Sequence, residues 1–280
     1  MQIVSACISR DLPIYRFTCE SLRKHLPGAE VHLITRGEDF NQFRNACGSD
    51  ITLWNEAEIL PEISMSDIRR LPLPFMPHGA GWYFQQFLKF AFHRSSSNED
   101  NYLIWDADTV LLRPLEFIDP DGRAIYTKAN EHHLPYFETF QALFGVDAKR
   151  EFSFISQHQL INRTILREML SEIESRHPES PNWAWAIMRN LRGEGSNLFS
   201  EYETYGHYLK WKHPESIAFR ELEWTRNGER IAGLPPDPAK LKILGETYSF
   251  ASFEAFFSRK KRILRFIRRL LGRKVIENYS

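Results

Sequence analysis

A chain of 280 residues that is 42% hydrophobic and 26% charged has enough apolar material for a large core, which excludes an intrinsically disordered protein. Lys plus Arg and Asp plus Glu both number 36, so the formal charge is zero and a uniformly basic nucleic-acid binder is excluded. Cys7, Cys19 and Cys47 are too few for a disulfide framework and lack zinc-type spacing, which suits a reducing compartment.

The start of the chain carries no basic leader, and no apolar run is long enough for a transmembrane helix, so a cytoplasmic body is expected. The zero charge conceals an asymmetry. Nine basic residues between Arg259 and Lys274 face only Glu277, giving the last 22 residues a net +8 and the rest of the chain −8.

In chain order, residues 2–8 read as a buried strand and residues 12–26 as a helix that stops at Pro27-Gly28. Strands follow at 31–35 and 51–54, then an irregular Pro-rich loop at 71–77. A helix at 82–93 precedes a fourth strand at 101–105, with further strands at 124–127 and 152–156. The remainder reads as mostly helical, with a Pro/Gly-rich connection at 233–238. Such alternation predicts an α/β fold, in which functional residues sit just after the strands, at their carboxyl ends. The expected division is a domain over 1–250 and a basic tail over 251–280.

The sharpest feature is Trp105-Asp106-Ala107-Asp108, where an apolar run ends in two carboxylates spaced i, i+2. On an extended chain both would face one side and converge on a cation; hard oxygens suit Mn²⁺ or Mg²⁺ held against a diphosphate. Alternatively the two aspartates only end a strand and cap a turn. Asp106-Ala107-Asp108-Thr109-Val110 also matches the nucleophile motif of haloacid-dehalogenase-type phosphatases, with Asp106 phosphorylated, although that family's downstream acidic pair is missing.

Four segments carry a family resemblance: Ser9-Arg10-Asp11-Leu12, residues 81–89 (GWYFQQFLK), Trp105-Asp106-Ala107-Asp108-Thr109, and residues 200–206 (SEYETYG). In these the chain resembles the bacterial glycosyltransferase-like proteins of the DUF6492 group, whose fold is similar to that of GT-A nucleotide-sugar transferases. The resemblance implies a Rossmann-type mixed sheet flanked by helices and transfer of a sugar from a nucleotide donor, with UDP the favoured nucleotide. Asp106 and Asp108 would hold the metal, and His207 would be its third ligand. Asp11, after the first strand, would accept hydrogen bonds from the nucleotide, or else cap the following helix.

Gln85, Gln86 and Lys89 lie on a helix that is apolar nearly all round; buried there, they need a partner or ligand, and Lys89 suits a donor phosphate. Ser200 and Glu203 form a capping-box pattern, which leaves Glu201 as candidate general base for the receiving hydroxyl. His158 and Gln159, after another strand, are expected to face the same crevice and contact sugar hydroxyls. Trp183 and Trp185 read first as packing and second as a sugar-binding wall.

Residues 256–271 form an amphipathic pattern, with Phe, Ile and Leu on one side and Lys and Arg on the other. Such a helix lies in the headgroup region of an anionic membrane. The expectation is a peripheral enzyme on the inner face of the cell membrane, acting on a glycan or lipid-linked substrate in surface polysaccharide or lipopolysaccharide assembly. A non-catalytic sugar-nucleotide-binding protein on the same scaffold is a further alternative.

Overall fold

The computed structural model describes residues 1–71, 79–97, 99–195 and 197–254. The loop expected at 71–77, apart from Leu71, and the amphipathic stretch at 256–271 lie outside the described residues. The strands are β1 (Gln2–Ala6), β2 (Glu30–Thr35), β3 (Thr52–Asn55), β4 (Asn101–Trp105), β5 (Thr109–Leu111), β6 (Ala124–Thr127), β7 (His158–Asn162), β8 (Ile217–Arg220) and β9 (Phe250–Ser252). The helices are α1 (Leu12–His25), α2 (Phe40–Cys47), α3 (Glu56–Ile59), α4 (Met65–Arg70), α5 (Ala80–Ala91), α6 (Leu134–Phe144), α7 (Arg163–Arg176), α8 (Trp183–Arg189), α9 (Glu201–Lys212), α10 (Gly228–Ala232) and α11 (Pro238–Thr247). Among the described residues, no helix is long and apolar enough to cross a membrane.

The central sheet runs β3-β2-β1-β4-β7, parallel except for β7, which joins antiparallel to β4 with Trp105 opposite His158. Near-continuous burial along β1, β2 and β4 is what a parallel sheet covered on both faces demands. Successive residues send side chains to opposite faces. Val4, Ile34, Ile104 and Ile161 join α5 to α9 in one core, while Ile3, Leu33, Leu103 and Leu160 join α1 and α2 in the other. This is the expected α/β architecture, a mostly parallel sheet between two helical layers.

The second half is less helical than the sequence suggests. β8 pairs parallel with β6, and β9 pairs antiparallel with β5. These two small sheets bind the carboxyl-terminal third to the strands that follow β4, and β9 straddles the boundary expected at residue 250. The strand expected at 152–156 is absent: Ser153 makes an isolated bridge to Ala129, and the strand begins at His158 instead. Its onset is delayed by Gln157, whose φ of 65° lies in the left-handed region and interrupts an extended chain.

Gly206, in the middle of α9, fixes how that helix packs. A Cβ there would lie 2.2 Å from Cγ of Phe154, so the Phe154 ring rests directly on helix backbone.

Candidate active site

β4 ends at Trp105, and the chain turns at once: the Thr109 N–H donates to the Asp106 carbonyl at 3.0 Å. Asp106 and Asp108 therefore flank a tight turn at the carboxyl edge of the sheet; they do not continue an extended strand. The Asp106 N–H donates to the Gln157 carbonyl (2.9 Å), which places this turn beside the start of β7.

Asp106 is the hub. Its Oδ1 accepts from Lys89 Nζ at 2.5 Å and from the Tyr202 hydroxyl at 2.8 Å. With its amide oriented to satisfy both neighbours, Gln157 donates Nε2 to Asp106 Oδ2 (2.9 Å) and accepts from Arg226 Nη2 (3.2 Å). Both oxygens of Asp106 are thus engaged.

Lys89, 3% exposed, also donates to Glu201 Oε1 at 2.7 Å and sits 4.9 Å from the centre of the Tyr202 ring. Burial pulls its pKa down, but the Asp106 and Glu201 carboxylates outweigh that and hold it well above the ordinary lysine value. Gln86 locks the helices that carry these groups: its Oε1 accepts from the Glu201 N–H (2.9 Å) and its Nε2 donates to the Trp82 carbonyl (3.0 Å). Buried side chains on α5 needed partners, and they find them at the amino end of α9.

Among the described residues, the side-chain partners of Asp108 are the hydroxyls of Thr109 and Ser252, each at a long 3.4 Å. Burial, then the adjacent Asp106 charge, push its pKa up to about 7. Glu254 answers to the same field: burial raises it to about 7, Arg226 opposes this, and Asp108 and Asp106 add to it. Arg226 pairs with Glu131 (2.7 Å) and Glu254 (3.4 Å). The site is therefore an acidic cluster with two cations set into it, Lys89 buried at 3% side-chain exposure and Arg226 nearer the surface at 32%.

Other expected residues take different places. Asp11 lies in a one-turn helix just after β1, its side chain makes no cap bond, and its charge contributes to the field on Asp108. Gln85 is half-buried and makes no hydrogen bond among the described residues. Glu201, expected as general base for the receiving hydroxyl, is 3% exposed and is the counter-ion of Lys89.

His158, expected to face the same crevice, packs among aromatic rings. Its ring stacks on Trp105 (centroids 5.1 Å, 19°), and its Nε2 faces Thr127 and Arg220. Burial and the Arg220 charge lower its pKa to about 3, too weak for a base at neutral pH. Gln159 sends Nε2 to the Tyr202 carbonyl (3.0 Å) and so positions α9, while its Oε1 is buried without a partner.

His207 is 3.1 Å from Glu203 Oε2, inside a box of Phe137, Phe140 and Phe154 rings. Among the described residues no three His, Cys, Asp or Glu side chains gather as a metal-binding group, so the expected set of Asp106, Asp108 and His207 does not form. Glu203 does not complete a reciprocal capping box either; Ser200 caps its N–H, but its carboxylate goes to Ser153 and His207. Trp183 is core and Trp185 is half-buried.

Sequence reasoning missed Gln157, Tyr202, Arg226 and Glu254. Tyr202 lay within a quoted segment and Gln157 one position before His158; nothing in the sequence near Arg226 or Glu254 marked them.

No curated protein matches the chain. Among solved structures it is similar to the galactosyltransferase LgtC in complex with donor and acceptor sugar analogs (12% identity, 91% of this chain and 87% of that one, TM-score 0.46). It is also similar to mouse xyloside xylosyltransferase 1 in its apo form (12% identity, 91% and 98% covered, TM-score 0.49). In sequence, the profile of the family of unknown function DUF6492 matches residues 9–228, which hold Lys89, the aspartate pair and Glu201, and the chain belongs to that family.

Proposed function

We propose that the chain is a metal-dependent glycosyltransferase that moves a sugar from a nucleotide-sugar donor, UDP-linked in the favoured reading, to a glycan or lipid-linked glycan. The observation that carries this is Asp108: a half-buried carboxyl at the carboxyl edge of a parallel sheet, beside a second carboxylate, with only two long hydroxyl contacts among the described residues. Two aspartates with no third protein ligand suit Mn²⁺ or Mg²⁺, which keep waters and take the rest of their oxygens from substrate phosphates.

Asp108 would be the principal ligand, and Asp106 would add an oxygen by releasing Gln157. A bound divalent ion supplies charge that stabilises the departing diphosphate. Lys89 fixes Asp106 in place, an indirect role that replaces direct contact with phosphate. Arg226, paired with Glu131 and Glu254, would donate to a phosphate oxygen on releasing one of them. Residues 256–271 would attach the enzyme to an anionic membrane surface, so that a lipid-linked substrate meets the crevice.

The test is thermal unfolding with UDP-sugars, with and without Mn²⁺. A ligand that binds only the folded state raises the Tm. A Mn²⁺-dependent rise in the natural protein that is absent in Asp108→Asn supports the reading; no rise with any nucleotide sugar, with metal present, sinks it.

A further inference from the structure

Trp82, Gln86 and Lys89 occupy one stripe of α5, spaced i, i+4 and i+7. At 1.5 Å per residue the Cα atoms of Lys89 and Trp82 lie about 10 Å apart along the helix. Trp82 is half-buried, and its ring lies nearly parallel to that of Tyr136 on α6 (centroids 6.2 Å, 20°). The His133 ring meets Tyr136 edge-on at 4.7 Å and holds it in place.

Tyr136 is only 5% exposed, yet its hydroxyl has no hydrogen-bond partner among the described residues. The hydroxyl is not one of the sealed, unpartnered side-chain atoms of the described residues, so it stays accessible and free to bond a ligand. Burial and then the Glu131 and Glu201 carboxylates raise its pKa, so the phenol stays protonated and able to donate.

We infer that Trp82 and Tyr136 form the binding wall for the sugar that receives the transferred group: a pyranose ring lies against the indole, and one of its hydroxyls bonds to the Tyr136 phenol. An aromatic plane with a polar handle at its edge suits a sugar, whose ring faces are apolar and whose rim is polar. This rests on the transferase reading for the identity of the sugar, but not for the existence of the subsite.

The full chain is titrated with methyl β-D-galactopyranoside, methyl α-D-glucopyranoside and methyl α-D-mannopyranoside in the presence of UDP and Mn²⁺, with binding read by ligand-observed NMR. At least one pyranoside binds the natural protein, and Trp82→Ala weakens it about tenfold or more. Trp82→Phe gives an intermediate loss, Tyr136→Phe weakens binding with unchanged Tm, and Trp185→Ala binds like the natural protein. Trp82→Ala keeps the backbone carbonyl that Gln86 uses, so the Lys89 cluster stays intact.

The subsite is overturned if no pyranoside binds the natural protein, or if Trp82→Ala and Trp82→Phe both bind it equally well. UDP-sugar turnover is followed in parallel. Turnover with binding indifferent to Trp82 overturns the subsite and leaves the transferase reading standing. Trp82-dependent binding without turnover of any UDP-sugar supports the subsite and counts against the transferase.

Discussion

Lys89 and Glu201 stand 112 positions apart in the chain and meet at 2.7 Å, with neither side chain more than 4% exposed. With Asp106 as the second acceptor, the single ammonium sits between two carboxylates that would otherwise repel one another. Removing one partner of such a group costs more than the pair contributes, because the charges left behind cannot be rehydrated.

Lys89→Met is therefore expected to lower stability by about 3–5 kcal/mol. The double variant Lys89→Met/Glu201→Gln recovers part of that loss, since it removes one stranded charge. Urea unfolding followed by circular dichroism measures both, and equal stability of Lys89→Met and the natural protein contradicts a buried triad.

The two aspartates should separate in their effects. Asp106→Asn weakens contacts to Lys89 and Tyr202 and lowers stability, whereas Asp108→Asn surrenders only long contacts and relieves repulsion. Expected are a drop in Tm for the first and none for the second, while both abolish the Mn²⁺-dependent shift with UDP-sugars. Differential scanning fluorimetry decides; a Tm loss in Asp108→Asn as large as that in Asp106→Asn contradicts this division of labour.

The acid limb of stability carries the mark of His158. Its folded pKa, near 3, lies below the ordinary value of 6.5, so at intermediate pH the unfolded chain binds the extra proton. The stabilising effect of keeping the ring neutral is complete above pH 6.5 and is lost as pH falls towards 3, by at most about 1.4 kcal/mol per pH unit. His158→Gln should lose stability less steeply across that window, and urea midpoints at pH 7, 5.5 and 4 compare the two. Parallel slopes would mean that the imidazole titrates normally in the folded protein.

Gly206→Ala forces a methyl group into the Phe154 ring and is expected to cost about 3 kcal/mol, the upper end of ordinary overpacking. The double variant with Phe154→Leu restores part of the loss if the contact is the cause. Chemical denaturation of the three variants tests it, and a neutral Gly206→Ala refutes the packing.

Deletion of residues 256–280 tests the proposed membrane attachment. Co-sedimentation with vesicles containing phosphatidylglycerol should be strong at low salt and weak at high salt for the full chain, and abolished by the deletion. Undiminished binding of the shortened chain excludes the tail as the anchor.

Much of this was legible because burial is written in one dimension. Residues 101–105 and 124–127 carry strand-like runs, and both are strands with those bounds. The aspartate pair announced itself because an apolar run cannot end in two charges without a reason. Lys89 and Gln86 were legible as residues needing partners, but their partners were not, since the amino end of α9 lies more than a hundred residues away. Gln157 was hidden because the left-handed turn that aims its amide at Asp106 leaves no mark in a glutamine beside a strand-like run. β8 and β9 escaped because short strands of three and four residues borrow their stability from partners found only in three dimensions.

The pairing of β9 with β5 carries a practical consequence. The Phe253 N–H donates to the Asp108 carbonyl at 2.8 Å, so the last turn of chain before the basic segment is stitched to the backbone of the proposed metal ligand. Cutting before Phe250 would unzip β5 and unseat Asp108, whereas cutting after Glu254 spares both. Under the proposed membrane attachment, the chain would depart for the surface within a few residues of the backbone that holds Asp108, and binding there would bear directly on that aspartate.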